Sequence, residues 1–140
     1  MKSFRGVLVL LGALPLLVAA GSYLVGEQIE VVALRTLDSQ GHAHDTKLWI
    51  VDFQGRPWVR SARPTLSWVE RIRANPHVEL IRNGKTTPYT AAIVETADAR
   101  RAIDEAIAAK YGRVDRWSGL LVRHDAIPIR LDPAGELPGR

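Results

Sequence analysis

The sequence predicts an α+β fold that is mainly β, in which a small barrel-like sheet carries two flanking helices and follows an N-terminal transmembrane helix. Three observations support this prediction. Short runs of alternating apolar residues recur along the chain and are separated by turn residues, as in antiparallel strands. Two stretches have the apolar period of an amphipathic helix instead. A long uncharged stretch precedes the first strand run.

The N-terminal stretch is predicted to be a retained single-span anchor. Residues 6–25 carry no charge, and about twenty apolar residues span the hydrocarbon core of a bilayer. A cleaved signal peptide is the alternative, because small residues at 19–21 could form a cleavage site. Both interpretations place the remainder of the chain on the same side of the membrane.

The charges that flank this stretch predict its orientation. Lys2 and Arg5 precede it, whereas Glu27 and Glu30 follow it. The positive-inside rule then leaves the N-terminus in the cytoplasm and the domain on the outer, periplasmic side. The predicted organisation is a membrane anchor or signal segment at 1–26, a barrel domain at 27–132 and a flexible tail at 133–140.

The composition limits the classes of function. The 140 residues suffice for one modest domain, and the net charge of +4 suits a phosphate-bearing ligand or an anionic membrane surface. Basic and acidic residues are interleaved, so we predict no nucleic-acid binding. The absence of cysteine excludes disulfides, thiolate metal sites, a cysteine nucleophile and a lipid-bearing cysteine.

The first three predicted strands include the one that says most about function. Residues 29–37 alternate as a first strand, a polar loop follows, and residues 47–53 and 56–63 form a hairpin around Gln54-Gly55. The second strand of this hairpin carries Arg60 and Arg63. Arginine is rarely buried without an anionic partner, so the pair suggests a nearby carboxylate or phosphate; a solvated strand edge is the alternative.

The remaining elements have local signals of their own. Ser67 and Glu70 have the spacing of a capping box, and Asn75-Pro76 ends the helix that they begin. Asn83-Gly84 predicts a type I′ hairpin turn. In chain order these elements are a helix at 67–76, strands at 77–82 and 86–95, a helix at 97–111 that Gly112 closes, a further helical turn within 113–121 and a last strand at 127–131.

Four segments of the sequence resemble a known group of proteins. They are Leu34-Arg35-Thr36, Thr46-Lys47-Leu48-Trp49, Val59-Arg60-Ser61-Ala62 and residues 68–78, WVERIRANPHV. Together they are similar to the split β-barrel flavin-binding superfamily, which is FMN-binding-like, and most of all to the deazaflavin-dependent nitroreductase family. Pyridoxamine-phosphate-oxidase-like proteins are its relatives. The resemblance implies a split β-barrel and, commonly for this fold, a homodimer that completes the groove.

The resemblance also implies a cofactor, FMN or a deazaflavin. By position, Thr46 and Lys47 would hold its phosphate, Arg60, Ser61, Ala62 and Arg63 would line the ring and its polar edge, and Trp49 and Trp68 would stack or pack against it. No catalytic residue follows from the sequence.

Two functions from different classes remain open. The first is a membrane-anchored oxidoreductase that passes hydride from the reduced ring to a small acceptor such as a quinone or nitro compound. The second is a non-enzymatic, membrane-tethered binding or assembly module that has lost the cofactor. Lys47, Arg60 and Arg63 favour the first. The loop that begins at Leu37-Asp38 favours the second, because it lacks the basic Gly-Arg-Lys-Ser-Gly run that the family usually has there.

Other polar clusters have simpler interpretations. His42, His44 and Asp45 could supply metal ligands, but we predict an ordinary polar turn and no metal site. Arg71, Arg73, Arg100 and Arg101 are predicted to form a solvated helix face, with lipid headgroups as an alternative contact. No Ser-His-Asp arrangement, Walker loop or dinucleotide glycine fingerprint is visible, so hydrolase and kinase functions are not predicted.

Overall fold

The structure is a computed structural model that describes residues 29–112 and 125–136. Backbone contacts divide the chain into residues 1–30 and residues 31–140, and the strands and helices of the described residues all belong to the second unit. The predicted anchor at 1–26, the predicted helical turn within 113–121 and residues 137–140 of the predicted tail lie outside the described residues. Across the described part of the chain, no helix is both long enough and apolar enough to cross a bilayer.

The described residues of this unit form six strands and two helices. They are β1 (Val31–Leu37), β2 (Ala43–Phe53), β3 (Arg56–Ser61), α1 (Ser67–Ala74), β4 (His77–Arg82), β5 (Lys85–Ile93), α2 (Ala97–Tyr111) and β6 (Ile127–Pro133). The strands form a closed antiparallel barrel in the order β1-β2-β3-β6-β5-β4. The predicted mainly-β fold with a barrel-like sheet and two helices is confirmed.

The barrel interior is built from the inward half of each alternating strand. Leu34, Ile50, Val59 and Ile129 are fully buried there. These positions alternate with more exposed neighbours on β1, so the period-two pattern of the sequence is the burial pattern of the strand. Trp68, Val69 and Ile72 of α1 belong to the same buried cluster, so this helix packs against the barrel core.

The second helix packs elsewhere on the barrel. Ile103, Ile107 and Tyr111 are its buried residues, and they lie outside the cluster that fills the barrel. The helix contacts β2 and β6. Thr96 caps its N-terminus by accepting a hydrogen bond from the Ala99 amide, at 3.2 Å between Oγ1 and N.

Both predicted hairpin turns occur where expected. Asn83 and Gly84 have φ values of 52° and 73°, as a type I′ turn requires, so this prediction is confirmed. Gln54 and Gly55 likewise have positive φ values and join β2 to β3.

Three local predictions need correction. Ser67 is not a cap: Leu66 occupies the N-cap position of α1, and no side chain caps this end. β2 begins at Ala43, so His44 and Asp45 belong to a strand rather than to the predicted polar loop. β6 continues to Pro133, past residue 131, where the last strand was predicted to end.

Candidate functional site

The predicted cofactor residues lie where β2 changes its partner. Residues 43–49 of β2 pair with β1, whereas residues 50–53 pair with β3. The β2–β3 ladder therefore ends at the pair Ile50 and Val59. We call the region beyond this pair the β2–β3 fork, which consists of residues 46–49 of β2, residues 60–61 of β3 and the two residues 62–63 that follow β3. Of the predicted set, only Trp68 belongs to another element.

Arg60 is committed to the second helix. Its side chain is 16% exposed, and its Nη1 donates to Asp104 Oδ1 at 2.8 Å. A charge-assisted hydrogen bond of this length fixes the guanidinium and offsets its charge. The sequence predicted an anionic partner for this arginine, and the structure supplies one from within the chain.

Ser61 is also satisfied locally. It is 1% exposed, and its hydroxyl donates to the Arg63 carbonyl at 2.5 Å and accepts from the Arg63 amide at 3.3 Å. These bonds close the end of β3 in a small turn. The hydroxyl is thus occupied, while the side chains of Ala62 and Arg63 are exposed.

Trp49 already has an aromatic neighbour. Its ring stacks on Tyr111 with centroids 4.8 Å apart and planes 21° from parallel. Lys110 Nζ lies 5.3 Å from the Tyr111 centroid, on the same helix end. One face of the Trp49 indole is consequently covered by α2.

The other predicted residues differ in accessibility. Thr46 is half-buried and Lys47 is exposed. Trp68 is 5% exposed and lies in the barrel core. The fork therefore brings Thr46, Lys47, Ala62 and Arg63 to the surface of the domain, whereas Trp68 acts as a core residue.

The polar loop between β1 and β2 is organised by Asp38. Its Oδ1 accepts hydrogen bonds from the Gln40 and His42 amides, both at 2.9 Å, and its Oδ2 lies 2.9 Å from His44 Nε2. The hydrogen bond with His44, supported by that of the His42 amide, holds the pKa of the Asp38 carboxyl well below its usual range.

Asp45 does not join this loop as a ligand. Arg35 binds it through two hydrogen bonds of 2.7 Å and 2.9 Å, which lower the pKa of the Asp45 carboxyl. Within residues 29–112 and 125–136, no group of three or more His, Cys, Asp or Glu side chains is arranged to hold a metal ion.

Only two of the four arginines that were predicted to form a solvated helix face are exposed. Arg73 and Arg101 are exposed and pair with Glu95 and Asp98. Arg71, in contrast, donates from Nε to Thr36 Oγ1 at 2.8 Å, and Thr36 is fully buried. Arg100 Nε is buried and has no hydrogen-bond partner. The helical period placed these arginines on helices, but it could not identify what lies against each one.

A small opening lies away from the fork. It has a volume of ≈ 190 Å³ and is lined on β1, β4 and β5 by residues that include Arg35, His77, Glu79 and Tyr89. Ligand pockets usually measure roughly 300–1,000 Å³. This opening contains none of the predicted cofactor residues.

Comparisons with known proteins identify the fold. The sequence matches no family model and no curated protein. Its structure is similar to that of HutZ, the heme storage protein of Vibrio cholerae, with a TM-score of 0.63, 18% identity and coverage of 84% of this chain and 90% of that one.

Two further structures are similar to a comparable degree. A candidate pyridoxamine 5′-phosphate oxidase from Listeria innocua has a TM-score of 0.58 at 17% identity, with 82% of this chain and 92% of that chain covered. A structure described as a domain-swapped dimer has a TM-score of 0.60 at 18% identity, with 74% and 80% covered. The six-stranded barrel with its two helices is therefore a split β-barrel, as the resemblance implied.

Proposed function

We propose that the chain binds a flavin-type cofactor, FMN or a deazaflavin, at the β2–β3 fork and acts as an oxidoreductase. The observation that carries this proposal is a pair of exposed cations at the fork. Lys47 and Arg63 have exposed side chains and no acidic partner among the described residues, in contrast to Arg60. They lie on a fold shared with a candidate pyridoxamine 5′-phosphate oxidase.

The side chains of the fork suit the two ends of such a cofactor. Lys47 and Thr46 would hold its phosphate, because an ammonium and a hydroxyl both donate to phosphate oxygens. Arg63 and the small Ala62 would lie along its ring, and Arg60, fixed by Asp104, would keep a positive charge near the ring edge. When bound, the cofactor would supply hydride transfer to a small acceptor, such as a quinone or a nitro compound.

A second copy of the chain completes the site in this proposal. The opening on β1, β4 and β5 includes no residue of the fork. Two chains that face each other could enclose a cofactor cavity at the fork, and a similar structure is a domain-swapped dimer. The deazaflavin-dependent nitroreductase resemblance also implies a homodimer.

The proposal includes a membrane anchor at residues 1–26, with the domain on the outer, periplasmic side. The uncharged run at 6–25 and the flanking charges support it. An anchored protein stays in the membrane pellet after alkaline washing and is digested by protease added to spheroplasts. Release of a shortened chain into the soluble fraction would instead indicate a cleaved signal peptide.

Three observations favour the alternative, a cofactor-free, membrane-tethered binding module. Arg60 and Ser61 already have partners inside the chain, and Tyr111 covers one face of Trp49. Asp38 also places a carboxylate in the loop where the family usually has basic residues. In a site that has lost its cofactor, the former ligand-binding side chains would be expected to bond to other groups of the same chain in this way.

The deciding experiment is a visible absorption spectrum of the full chain in detergent. FMN, a deazaflavin and hemin are added in turn, and unbound ligand is removed by gel filtration. We expect a retained flavin or deazaflavin band that is lost in Lys47→Ala and kept in Lys85→Ala, an equal charge change on the β4–β5 hairpin. A colourless protein, or equal loss in both variants, contradicts the proposal. If the protein retains hemin alone, the proposed ligand is heme rather than a flavin, as in HutZ, which is described as a heme storage protein.

A further inference from the structure

Arg71 is held in place by a neutral group rather than by an acid. It projects from α1, is half-buried, and its Nε donates to Thr36 Oγ1 at 2.8 Å. The Thr36 hydroxyl in turn lies 3.5 Å from the His44 carbonyl, to which it donates. Its proton is thus directed toward His44 and a lone pair toward Arg71. This arrangement fixes the guanidinium without neutralising its charge.

The other arginines with fixed side chains differ in this respect. Arg35, Arg56, Arg60, Arg73, Arg82, Arg101 and Arg130 each form an ion pair with a carboxylate. Arg71 has no ion pair with any described acid. Most of the described arginines are thus paired with an acid. Arg71 instead has a fixed orientation and a charge that no described carboxylate offsets.

The two terminal nitrogens of Arg71 are not fully buried. Among the described residues, Arg100 Nε is the one fully buried side-chain nitrogen or oxygen that lacks a hydrogen-bond partner. The Nη atoms of Arg71 have no partner among these residues either, and they therefore retain some contact with solvent. Since Thr36 occupies Nε, the donors of the two Nη atoms are left for a ligand.

The nearest acid along β1 does not compete for these donors. Asp38 follows Thr36 by two residues, but its carboxylate already accepts from two amides and from His44. The next acids, Asp45 and Glu79, lie with Arg35. These three acids are thus committed to other partners.

From this geometry we propose that Arg71, oriented by Thr36, is a binding site for an oxyanion of the phosphate or carboxylate type, between α1 and β1. The planar fork of a guanidinium matches the two oxygens of such a group. The site uses α1 and β1 rather than the β2–β3 fork, so it stands independently of the proposed cofactor.

The test measures anion binding by the full chain in detergent, with inorganic phosphate and acetate as separate probes at constant ionic strength. The readouts are the Nε–H resonance of Arg71 by NMR, in the proteins that keep this arginine, and the thermal midpoint in all of them. We expect saturable shifts of both, and an apparent Kd from the thermal midpoint that rises about tenfold or more in Arg71→Ala, as for loss of a charge-assisted bidentate contact. Preference for one probe identifies phosphate or carboxylate as the natural group.

Arg73→Ala is the matched control. It removes the same charge from the same helix, but its guanidinium is paired with Glu95. Its affinity should stay within about twofold of the unmodified chain, because an exposed pair contributes little field at a distance. Equal weakening in Arg71→Ala and Arg73→Ala would show nonspecific attraction and overturn the proposal, as would the absence of any saturable shift.

Two conservative variants test the orientation. Arg71→Lys keeps the charge but loses the planar fork, and Thr36→Val keeps the shape but removes the hydroxyl that orients Arg71. Both should weaken binding without a change in the far-ultraviolet circular dichroism spectrum. Unchanged affinity in Thr36→Val would contradict the assigned role of Thr36 as a positioning residue.

Discussion

At the scale of single residues, Tyr111 has the most consequential contact that the sequence did not predict. β1 begins at Val31, which pairs with Trp49, so Ile50 lies one residue beyond the last β1 partner. The Tyr111 hydroxyl accepts from the Ile50 amide at 3.1 Å and donates to its carbonyl at 2.7 Å. Lys110 Nζ also donates to this carbonyl, at 2.8 Å. A side chain thus replaces the missing strand partner.

Replacing Tyr111 with Phe should therefore destabilise the domain while keeping the aromatic stack on Trp49. The fully buried Ile50 loses the partner of its amide, and an unsatisfied buried donor costs about 1–3 kcal/mol. Urea denaturation measures the change in the free energy of unfolding.

Tyr89→Phe is the control for this variant, because Tyr89 packs against the core and its hydroxyl has no described partner. Its effect should stay within about 0.5 kcal/mol. Equal effects of the two variants would mean that the Tyr111 hydroxyl does not support Ile50.

The limits of sequence-based prediction are also visible at this scale. An anionic partner for Arg60 could be predicted, because an arginine is unusual in an apolar strand. Its partner Asp104 could not be predicted, since many acids on a helix have suitable spacing and only tertiary packing selects one. The same holds for Thr36 and Arg71, which are 35 residues apart in the chain.

At the scale of elements, the two helices begin in different ways. The sequence predicted a capping box at Ser67, yet the extended residue at the N-cap of α1 is Leu66, which has no capping side chain. The buried positions Trp68, Val69 and Ile72 fix this helix against the barrel instead. For α2, the helical period and Gly112 correctly predicted both ends, and Thr96 provides the cap.

The two caps give a matched pair of substitutions. Thr96→Ala removes the acceptor of the Ala99 amide and should lower the free energy of unfolding by about 1 kcal/mol. Ser67→Ala should change it by less than about 0.5 kcal/mol, because no capping bond is lost. Urea denaturation of both variants measures these changes. A larger decrease in the free energy of unfolding for Ser67→Ala would show that Ser67 does cap α1.

At the scale of the whole molecule, the sequence predicted the strands better than their closure. Hairpin turns specify the pairs β2–β3 and β4–β5, because each pair is joined by a two-residue turn. The pairs β3–β6 and β1–β4 join distant parts of the chain, and no local pattern encodes them. The order of strands and helices predicted a barrel-like sheet, and the resemblance to split-barrel proteins implied the same architecture, but neither gave the register of these two pairs.

Several carboxylates are paired in the fold and predict its acid sensitivity: two lie in the β1–β2 hairpin, and the third, Glu136, lies beyond β6 and pairs with Arg56 of β3. Asp38, Asp45 and Glu136 all have carboxyl pKa values below the ordinary 3.8 to 4.5, because each receives hydrogen bonds from His44, Arg35 or Arg56. Below these ordinary values the unfolded chain binds more protons than the folded one. The contribution of these groups is therefore complete above about pH 5 and is lost as the pH falls through the folded pKa values.

Urea midpoints measured between about pH 7 and about pH 3 should thus decrease, and Glu136→Gln should reduce the decrease. Glu105→Gln is the control, because Glu105 is exposed and has no described partner. A decrease that is the same in Glu136→Gln and the unmodified chain would exclude the Arg56–Glu136 pair as a source of the acid sensitivity.

The barrel has one short seam. Only the pairs Ala33–Ile81, Leu34–Leu80 and Arg35–Glu79 join β1 to β4, whereas every other ladder has four or more pairs. Opening at this seam would separate the fewest paired residues and turn the barrel into an open sheet whose two edges are β1 and β4. Each edge would then carry unpaired amides and carbonyls, to which another chain can bind. Strand exchange between two copies would therefore start at this seam, at a rate set by barrel opening rather than by diffusion.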